Sequence, residues 1–323
     1  MKRIVCLILA LCLLVPLIAA CGKDDDAQGD VTLKIGVLSG PTAIGALKMM
    51  KDGDARYNFA DPYASPDLIL SDVIAGNIDI AALPTNNAAA LYNNGADIRV
   101  IALNTLGVLY VLDTTGTVNS LADLAGKRVY VPNAGSNPEY IVRHILAENN
   151  INATVDTSVV QPMEIRNRLL NGEIEIAVLP QPVATATVVA ASSQSKTITT
   201  PIDLSTEWNK IEDTPIVQGC LVANADFCEE HPEAIEAFLE DYANSVEYMT
   251  TAENLDDAAA LAVEYSIIAA APIAKKAIPK CGIAYMDGKE MKTALDAFYT
   301  ILHSYNPASI GGAIPDSDFY YED

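Results

Sequence analysis

The sequence predicts an α/β fold of two similar lobes, each a parallel β-sheet with its helices. The main observation is an internal repeat: residues 76–84 recur 96 residues later at 172–180, with six of nine positions identical. A helical pattern precedes each copy, and a short aliphatic strand pattern lies within it. The length of 323 residues also suits two domains of ordinary size.

Each repeat extends upstream into a strand, a loop and a helix. The strand patterns at 34–38 and 127–131 lead into glycine- and proline-containing loops, and helical spacing follows. The helical patterns at 66–75 and 163–170 then end at a glycine before the repeated strand. A convenient helix-to-strand connection used twice would explain the short repeat alone. The matching upstream elements favour a shared architecture instead.

The composition is that of a folded, acidic protein. Half of the residues are hydrophobic and 19% are charged, which excludes wholesale disorder. The 42 acidic residues against 20 basic ones give a net charge of −22, and such a surface repels phosphate backbones. Nucleic acid is therefore excluded as a partner.

Residues 1–20 have the pattern of a secretory signal. Lys2 and Arg3 precede an uncharged, mostly aliphatic run that is too short for a convincing membrane-spanning helix. The run 17–21, Leu-Ile-Ala-Ala-Cys, resembles a bacterial lipobox, which would make Cys21 the lipidated first residue. A plain signal peptide with an incidental Cys21 is the alternative. Residues 21–30 lack packing side chains and predict a flexible acidic tether. We expect an extracytoplasmic protein, lipid-anchored to the outer face of the bacterial cytoplasmic membrane.

Three cysteines remain after the signal peptide and the lipidation site. They are Cys220, Cys228 and Cys281, and their odd number leaves at least one unpaired. We interpret them as small core residues, with a Cys220–Cys228 disulfide as the alternative. No Cys-x-x-Cys motif occurs, and no histidine lies at ligand spacing from a cysteine. The sequence predicts neither a metal site nor a cofactor.

The candidate binding site lies in the loops at the carboxyl ends of the predicted strands, where helix N-termini present free N–H groups. These loops contain Ser39, Gly40, Pro41, Thr42, Thr85, Asn86, Gly135, Ser136, Asn137 and Gln181.

The charge in these loops is confined to Glu139, which at the first turn of a helix is often only a partner of the helix dipole. The lining suits a small neutral solute, or a compact anion held by backbone N–H groups. Tyr110 and Tyr140 could stack on a planar ring, although Tyr110 has the pattern of a core strand residue.

Further segments resemble bacterial solute-binding proteins. Residues 120–129, Ser-Leu-Ala-Asp-Leu-Ala-Gly-Lys-Arg-Val, are similar to the segment that opens the second lobe of those proteins. Residues 135–140, 227–234 and 311–316 extend the resemblance in the same order. Together with the lipobox, they identify the chain as a member of the NMT1/THI5-like, or SsuA/TauA-type, substrate-binding proteins of ABC transporters. That group serves nitrate, sulfonates, taurine and thiamine precursors.

The resemblance implies a bilobed type II periplasmic-binding-protein fold whose chain crosses between the lobes twice. Lobe 1 would contain residues 31–107 and 217–323, and lobe 2 would contain residues 108–216. The two crossings would place Asn104, Thr105 and Gly219 near the hinge, which adds them to the candidate site. Such lobes close around a ligand by a hinge motion.

The function implied is that of a monomeric receptor that delivers a small solute to the transmembrane subunits of an ABC permease. The solute would be neutral or weakly anionic, from the pyrimidine or thiamine-precursor, sulfonate or nitrate class. A lipoprotein that reports its ligand to a signalling receptor is one alternative.

An enzyme of the same fold acting on a pyrimidine precursor is another alternative. The residues argue against it, because no nucleophile motif occurs and no catalytic residue is predicted. We expect His144, His231 and His303 at the surface or at helix caps.

The lipobox interpretation predicts that Cys21→Ala releases the protein into the soluble fraction, because the thiol that carries the lipid is lost. Cell fractionation and immunoblotting measure the distribution. Cys12→Ala changes a cysteine inside the signal peptide and is the matched control, expected to leave the protein in the membrane fraction. Membrane retention of the Cys21 variant would contradict a lipid anchor at this residue.

Overall fold

The computed structural model describes residues 31–321. The predicted signal peptide, the tether and the lipidation site Cys21 lie outside the described residues. From Leu33 onward the chain belongs to one compact unit.

The described strands in chain order are β1 (Leu33–Gly36), β2 (Tyr57–Phe59), β3 (Ile80–Pro84), β4 (Ile98–Thr105), β5 (Leu109–Asp113), β6 (Arg128–Tyr130), β7 (Thr154–Asp156), β8 (Ile176–Pro180), β9 (Thr199–Asp203), β10 (Gly219–Asn224) and β11 (Ile283–Met286). They form two sheets. One has six strands in the order β11-β4-β10-β3-β1-β2, and the other has five in the order β7-β6-β8-β5-β9.

The described helices are α1 (Pro41–Ile44), α2 (Leu47–Asp52), α3 (Pro66–Ile74), α4 (Thr85–Asn93), α5 (Asn137–Glu148), α6 (Pro162–Asn171), α7 (Val183–Ser193), α8 (Leu204–Trp208), α9 (Ala225–Glu230), α10 (Pro232–Thr250), α11 (Leu255–Glu264), α12 (Ala271–Ala277) and α13 (Gly288–Tyr305). Short 3₁₀ turns occur at Leu121–Leu124, Ala252–Asn254, Ile278–Lys280, Pro307–Ile310 and Ser317–Phe319. The mixed α/β composition in two sheets confirms the predicted fold class.

Both copies of the repeated segment form the predicted helix, glycine and strand. Helices α3 and α6 end shortly before Gly76 and Gly172, whose φ angles of 70° and 75° lie in the left-handed region that glycine adopts without strain. Strands β3 and β8 follow. Each begins two residues later than its aliphatic pattern and ends at the repeated proline.

The sheets are mixed, which corrects the prediction of purely parallel lobes. Strands β1, β2 and β3 run parallel, as do β6, β7 and β8. Strand β10 is antiparallel to β3 and β4, and β5 is antiparallel to β8. The reason is that β5 and β10 each begin at the edge where the parallel strands end. Leu109 pairs with Pro180, and Gly219 pairs with Pro84.

The core has three clusters, because successive strand residues face opposite sides of a sheet. Leu103, Val111 and Val178 belong to one cluster that includes both sheets. Their neighbours Ala102 and Leu179 belong to separate clusters on the outer faces. Both sheets therefore share one continuous apolar layer.

Helix α10 packs its predicted apolar face on the six-stranded sheet. That face is formed by Ile235, Phe238, Leu239, Tyr242, Val246 and Met249, all of which are buried. Pro232 occupies the first turn, where its missing N–H has no consequence. The predicted orientation of this helix is confirmed.

The cysteines Cys220, Cys228 and Cys281 are free and buried, as predicted for core residues, and no Cys220–Cys228 disulfide forms. Burial raises the pKa of Cys228 to about 11 and that of Cys281 to about 12. The expectation for His144 was wrong, because this histidine is buried with its Nε2 atom 2.6 Å from Glu212 Oε1. Its ring also packs 5.1 Å from that of Trp208.

Within residues 31–321, no helix combines the length and the apolar character needed to cross a membrane.

The packing of α10 predicts that Phe238→Ala lowers the free energy of unfolding by about 3–5 kcal/mol, because a fully buried aromatic ring is replaced by a cavity. Glu236→Ala, on the exposed face of the same helix, is the control and should change stability by less than about 0.5 kcal/mol. Denaturant unfolding followed by circular dichroism measures both. Equal effects of the two substitutions would contradict this packing.

Candidate functional site

The edges of the two sheets at which the parallel strands end face one another. Residues 106–108 connect Thr105, the last residue of β4, to Leu109, the first of β5. The four Cα–Cα steps from Thr105 to Leu109 span at most about 14 Å, so the two edges are close. Residues 204–218 make the return crossing and begin with α8. The loops that precede α1, α4, α5 and α7 all lie at these edges.

The polar junction is the name we give to seven residues at this point of the fold. They are Thr42, Thr85, Asn104, Thr105, Asn137, Gln218 and Gly219. Six were predicted as site residues from the sequence, and Gln218 was not.

Thr85, at the start of α4, hydrogen-bonds with each of its polar groups. Its hydroxyl donates to the Val217 carbonyl at 2.9 Å and accepts from Asn137 Nδ2 at 2.9 Å. Its N–H donates to the Gln218 carbonyl at 3.1 Å, and its carbonyl accepts from the Tyr299 hydroxyl at 2.9 Å. The Asn137 contact joins helix α5 of the five-stranded sheet to helix α4 of the six-stranded sheet.

Asn104 lies near the end of β4 and donates through Nδ2 to the Thr42 carbonyl at 3.4 Å. Its Oδ1 atom lies against Gly219, where an added Cβ would approach it to 2.5 Å and Thr42 Cγ2 to 2.8 Å. Glycine is therefore required at position 219, because any side chain there would displace the amide of Asn104. The sequence predicted Asn104 and Gly219 near the crossings and Thr42 in a loop after a strand, and the structure brings them into contact.

Several buried polar atoms of the junction have no hydrogen-bond partner in the described chain. They are Asn104 Oδ1, Thr105 Oγ1, Asn137 Oδ1 and Gln218 Nε2. Asn104, Thr105 and Asn137 are 1%, 0% and 3% exposed, so bulk water does not solvate them. Leaving such a group unpaired costs about 1–3 kcal/mol. Buried polar groups in folded proteins are usually paired, so this concentration indicates a place prepared for a ligand.

The Tyr242 hydroxyl is a further buried polar group, and it lies beside the Asn104 amide. Burial raises the pKa of Tyr242, and the nearby Asn104 amide opposes that shift. The phenol is therefore neutral, so this side of the junction carries no charge.

The loop before α5 is hydrogen-bonded to a carboxylate from the first turn of the same helix. Glu139 Oε2 accepts a hydrogen bond from the Gly135 N–H at 2.7 Å, and Glu139 Oε1 pairs with Arg143 at 2.8 Å. Gly135 has a φ of 79°, a conformation that glycine permits. The Glu139 carboxylate thus occupies a position at a helix N-terminus where an anionic ligand would otherwise bind.

The other predicted residues lie around this loop and the first strand. Ser39 is exposed in the segment between β1 and α1, Gly40 and Pro41 begin α1, and Asn86 is buried in the first turn of α4. Ser136 donates its hydroxyl to the Asn133 carbonyl within its own loop. None of these five makes a hydrogen bond to Asn104 or Asn137 among the contacts of the described chain.

Gln181 has a local role. Its Oε1 atom accepts a hydrogen bond from the Thr185 N–H at 3.2 Å and so caps α7. It also lines a cavity of about 590 Å³ between α7 and the segment 276–280. Lys276 and Lys280 contribute to this cavity, and sequence reasoning missed them because they lie far along the chain from the predicted loops.

The two tyrosines considered for stacking are held by the protein itself. Tyr140 is buried and its hydroxyl accepts from Asn306 Nδ2 at 2.9 Å. Tyr110 is half-buried in β5, and its hydroxyl lies 3.4 Å from the Lys280 carbonyl. Both contacts connect the five-stranded sheet to later segments of the chain. Among residues 31–321, no group of three or more acidic, histidine or cysteine side chains could hold a metal ion.

Two mixed sheets linked by two crossings, with helix N-termini converging on a buried polar junction, form the fold of periplasmic binding proteins. Residues 61–253, more than half of the chain, match the NMT1/THI5-like family. The chain belongs to this family. No curated protein matches the chain with significance.

Solved structures show the same architecture. An ABC transporter protein from Parabacteroides distasonis is 25% identical, with 90% of this chain and 99% of that chain covered and a TM-score of 0.78. The periplasmic aliphatic sulphonate binding protein SsuA from Escherichia coli is 13% identical, with 90% and 92% covered and a TM-score of 0.71. The periplasmic nitrate-binding protein NrtA from Synechocystis PCC 6803 is 14% identical, with 90% and 84% covered and a TM-score of 0.62.

The Thr85 contacts predict that Thr85→Val lowers the free energy of unfolding by about 1–3 kcal/mol. The substitution keeps the shape of the side chain but leaves the Asn137 amide and the Val217 carbonyl unpaired in a buried place. Thr300→Val is the control, because that exposed hydroxyl only bonds to the Asp296 carbonyl of its own helix. Chemical denaturation measures both, and a Thr85 variant as stable as the Thr300 variant would contradict the role of this hydroxyl.

Proposed function

We propose that the protein is an extracytoplasmic solute-binding lipoprotein of an ABC importer. It captures a small neutral or weakly anionic solute between two lobes and delivers it to the transmembrane subunits of the permease. The lobes correspond to residues 31–107 with 217–323 and to residues 108–216. Membership of the NMT1/THI5-like family and the shared fold support this function.

The observation that carries the proposal is the set of unpaired polar atoms in the polar junction. Asn104, Thr105 and Asn137 are buried where the helices of both sheets converge, and each has a polar atom without a partner. A solute that hydrogen-bonds to these atoms supplies the partners that the protein does not, which favours binding. Helix N-termini that meet beside buried polar groups are typical of binding sites.

Access to the junction requires the two lobes to separate. In the structure they are in contact through the apolar layer that both sheets share, through the Asn137–Thr85 hydrogen bond, and through the contacts of Tyr140 with Asn306 and of Tyr110 with Lys280. Water can replace the polar contacts, and opening would also expose part of the shared apolar layer. A hinge at residues 106–108 and 204–218 would open the junction while each sheet stays intact.

Binding without chemical conversion is the proposed activity. The E. coli and Synechocystis proteins of this fold are described as binding proteins for aliphatic sulphonates and for nitrate. The junction offers amides and hydroxyls, groups suited to recognition rather than to proton transfer at neutral pH.

A thermal-shift screen over pyrimidines, sulfonates, nitrate and amino-acid-like solutes is expected to find a compound that raises the melting temperature. At a 100-fold excess over Kd the stabilisation is about 2.7 kcal/mol, because the solute binds only the folded state. Asn137→Leu should abolish the shift, and Asn167→Leu, on the exposed surface of α6, should retain it.

Mass spectrometry of protein purified from its native membrane completes this test, because a tightly held solute co-purifies. If no compound of the screen stabilises the protein and no small molecule co-purifies, the binding function is wrong. Conversion of a stabilising compound into a product would show an enzyme instead.

A further inference from the structure

The hydrogen-bond partners of Asn137 establish which of its two amide atoms is free. Thr85 has one hydroxyl proton, and it is donated to the Val217 carbonyl. The Thr85 oxygen can then only accept from Asn137, so the NH₂ group of Asn137 must face it. The unpaired atom of Asn137 is therefore its carbonyl oxygen, which is an acceptor.

The same reasoning applies to Asn104. Its amide faces the backbone carbonyl of Thr42, which has no proton to donate. The NH₂ group must occupy that side, and the unpaired Oδ1 atom is a second acceptor. Both orientations follow from partners that can only accept, so they do not depend on distinguishing nitrogen from oxygen directly.

The two acceptors lie near neighbouring strand ends of the six-stranded sheet. Asn137 contacts Thr85, which follows Pro84, and Asn104 precedes Thr105. Gly219 pairs with both Pro84 and Thr105, so one strand lies between those two strand ends. The Thr105 hydroxyl and the Nε2 donor of Gln218, which belong to residues at or beside the same strand ends, are also unpaired.

Several of the N–H donors that could hold an anion already have partners at two of the surrounding helix N-termini. At α5 the Glu139 carboxylate accepts from Gly135, and the Ser136 carbonyl accepts from the N–H groups of Glu139 and Tyr140. At α7 the side chain of Gln181 accepts from Thr185. An anionic solute would therefore meet the carbonyl oxygens of Asn104 and Asn137 at the junction and the Glu139 carboxylate in the adjoining loop.

We propose that the solute is a neutral molecule with at least two N–H donors and one acceptor, and that anions are rejected. Amides, ureas and amino-substituted heterocycles share this chemistry. Asn104 and Asn137 accept from the N–H groups, and Gln218 donates to the carbonyl or ring nitrogen. This inference rests on the proposed binding function and specifies the class of solute that the same site takes.

Lys276 and Lys280 line a cavity with the candidate residue Gln181, and they do not alter this assignment. Both side chains are exposed at the separate cavity beside Gln181. Solvated ammonium groups of this kind bind anions weakly. If they recruited an anion, the test below would show it in the unmodified protein.

The test compares matched neutral and anionic probes on the detergent-solubilised full-length protein. Urea, cytosine and nicotinamide supply N–H donors, and nicotinate, ethanesulfonate and nitrate are the anions. Melting temperatures and isothermal titration give the affinity for each probe, and mass spectrometry identifies any co-purifying solute. We expect stabilisation by a neutral probe, no shift with its anionic counterpart, and a neutral N–H donor as the co-purifying solute.

Glu139→Gln tests whether the negative charge of this side chain is what rejects anionic solutes. It preserves the hydrogen bond to Gly135 but removes the negative charge, so affinity for nicotinate should rise about tenfold, which corresponds to about 1.4 kcal/mol. Glu164→Gln is the matched control, because Glu164 also lies in the first turn of a helix and pairs with an arginine four residues later. It should leave every affinity unchanged.

The outcomes distinguish this inference from the binding function on which it rests. Tighter binding of an anion than of any neutral probe by the unmodified protein, or an anionic co-purifying solute, would overturn the inference and leave the binding function standing. Unchanged nicotinate affinity in Glu139→Gln would also overturn the rejection of anions by this carboxylate. Failure of every probe together with the absence of a co-purifying solute would overturn both proposals.

Discussion

The hydroxyl of Thr85 is the contact on which the arrangement of the two sheets depends. It accepts from α5 and donates to the second crossing, while the backbone of the same residue bonds to Gln218 and to Tyr299 of α13. Four segments distant in sequence thus meet at one threonine. Because every polar atom of Thr85 is used, its orientation cannot change without breaking several buried hydrogen bonds. The positions of Asn137 and Gln218 follow from that fixed orientation.

The polar junction results from a conflict between two requirements of the fold. The apolar faces of both sheets are buried in one shared core, which brings the strand ends together. Strand ends and helix starts carry polar groups, and bringing them together removes water from these groups. Most of them find partners within the chain, as Gly135 and Thr185 do. The few that remain unpaired define the chemistry that an added molecule must supply.

Much of this architecture could be predicted from the sequence because its signals are local. The repeated segments carry the end of a helix, a glycine and a buried strand within nine residues, and such short patterns are read without knowledge of the fold. Once the strands were placed, the candidate loops could also be predicted, because the ends of parallel strands meet at one edge of a sheet. The antiparallel direction of β5 and β10 was not predicted, because it depends on which edge a crossing reaches.

Other features of the site depend on contacts that a linear pattern does not contain. Gln181 has the polarity of a binding residue, but its side chain caps the helix that follows it. His144 was expected at the surface or at a helix cap, but it is buried and packs against Trp208 of a distant segment. Gln218 and the two lysines of the neighbouring cavity come from segments that long-range packing brings to the site.

The net charge of −22 has a kinetic consequence for a receptor of this design. A strongly negative molecule depletes anions from the surrounding solution and thereby slows their encounter, an effect that added salt screens within about 8 Å at physiological ionic strength. A neutral solute diffuses to the protein unaffected by this field. The capture rate of such a solute is therefore insensitive to the salinity of the medium, whereas that of a competing anion would rise with salt. With the neutral solute proposed above, the acidic surface would discriminate between solutes before either one reaches the buried amides.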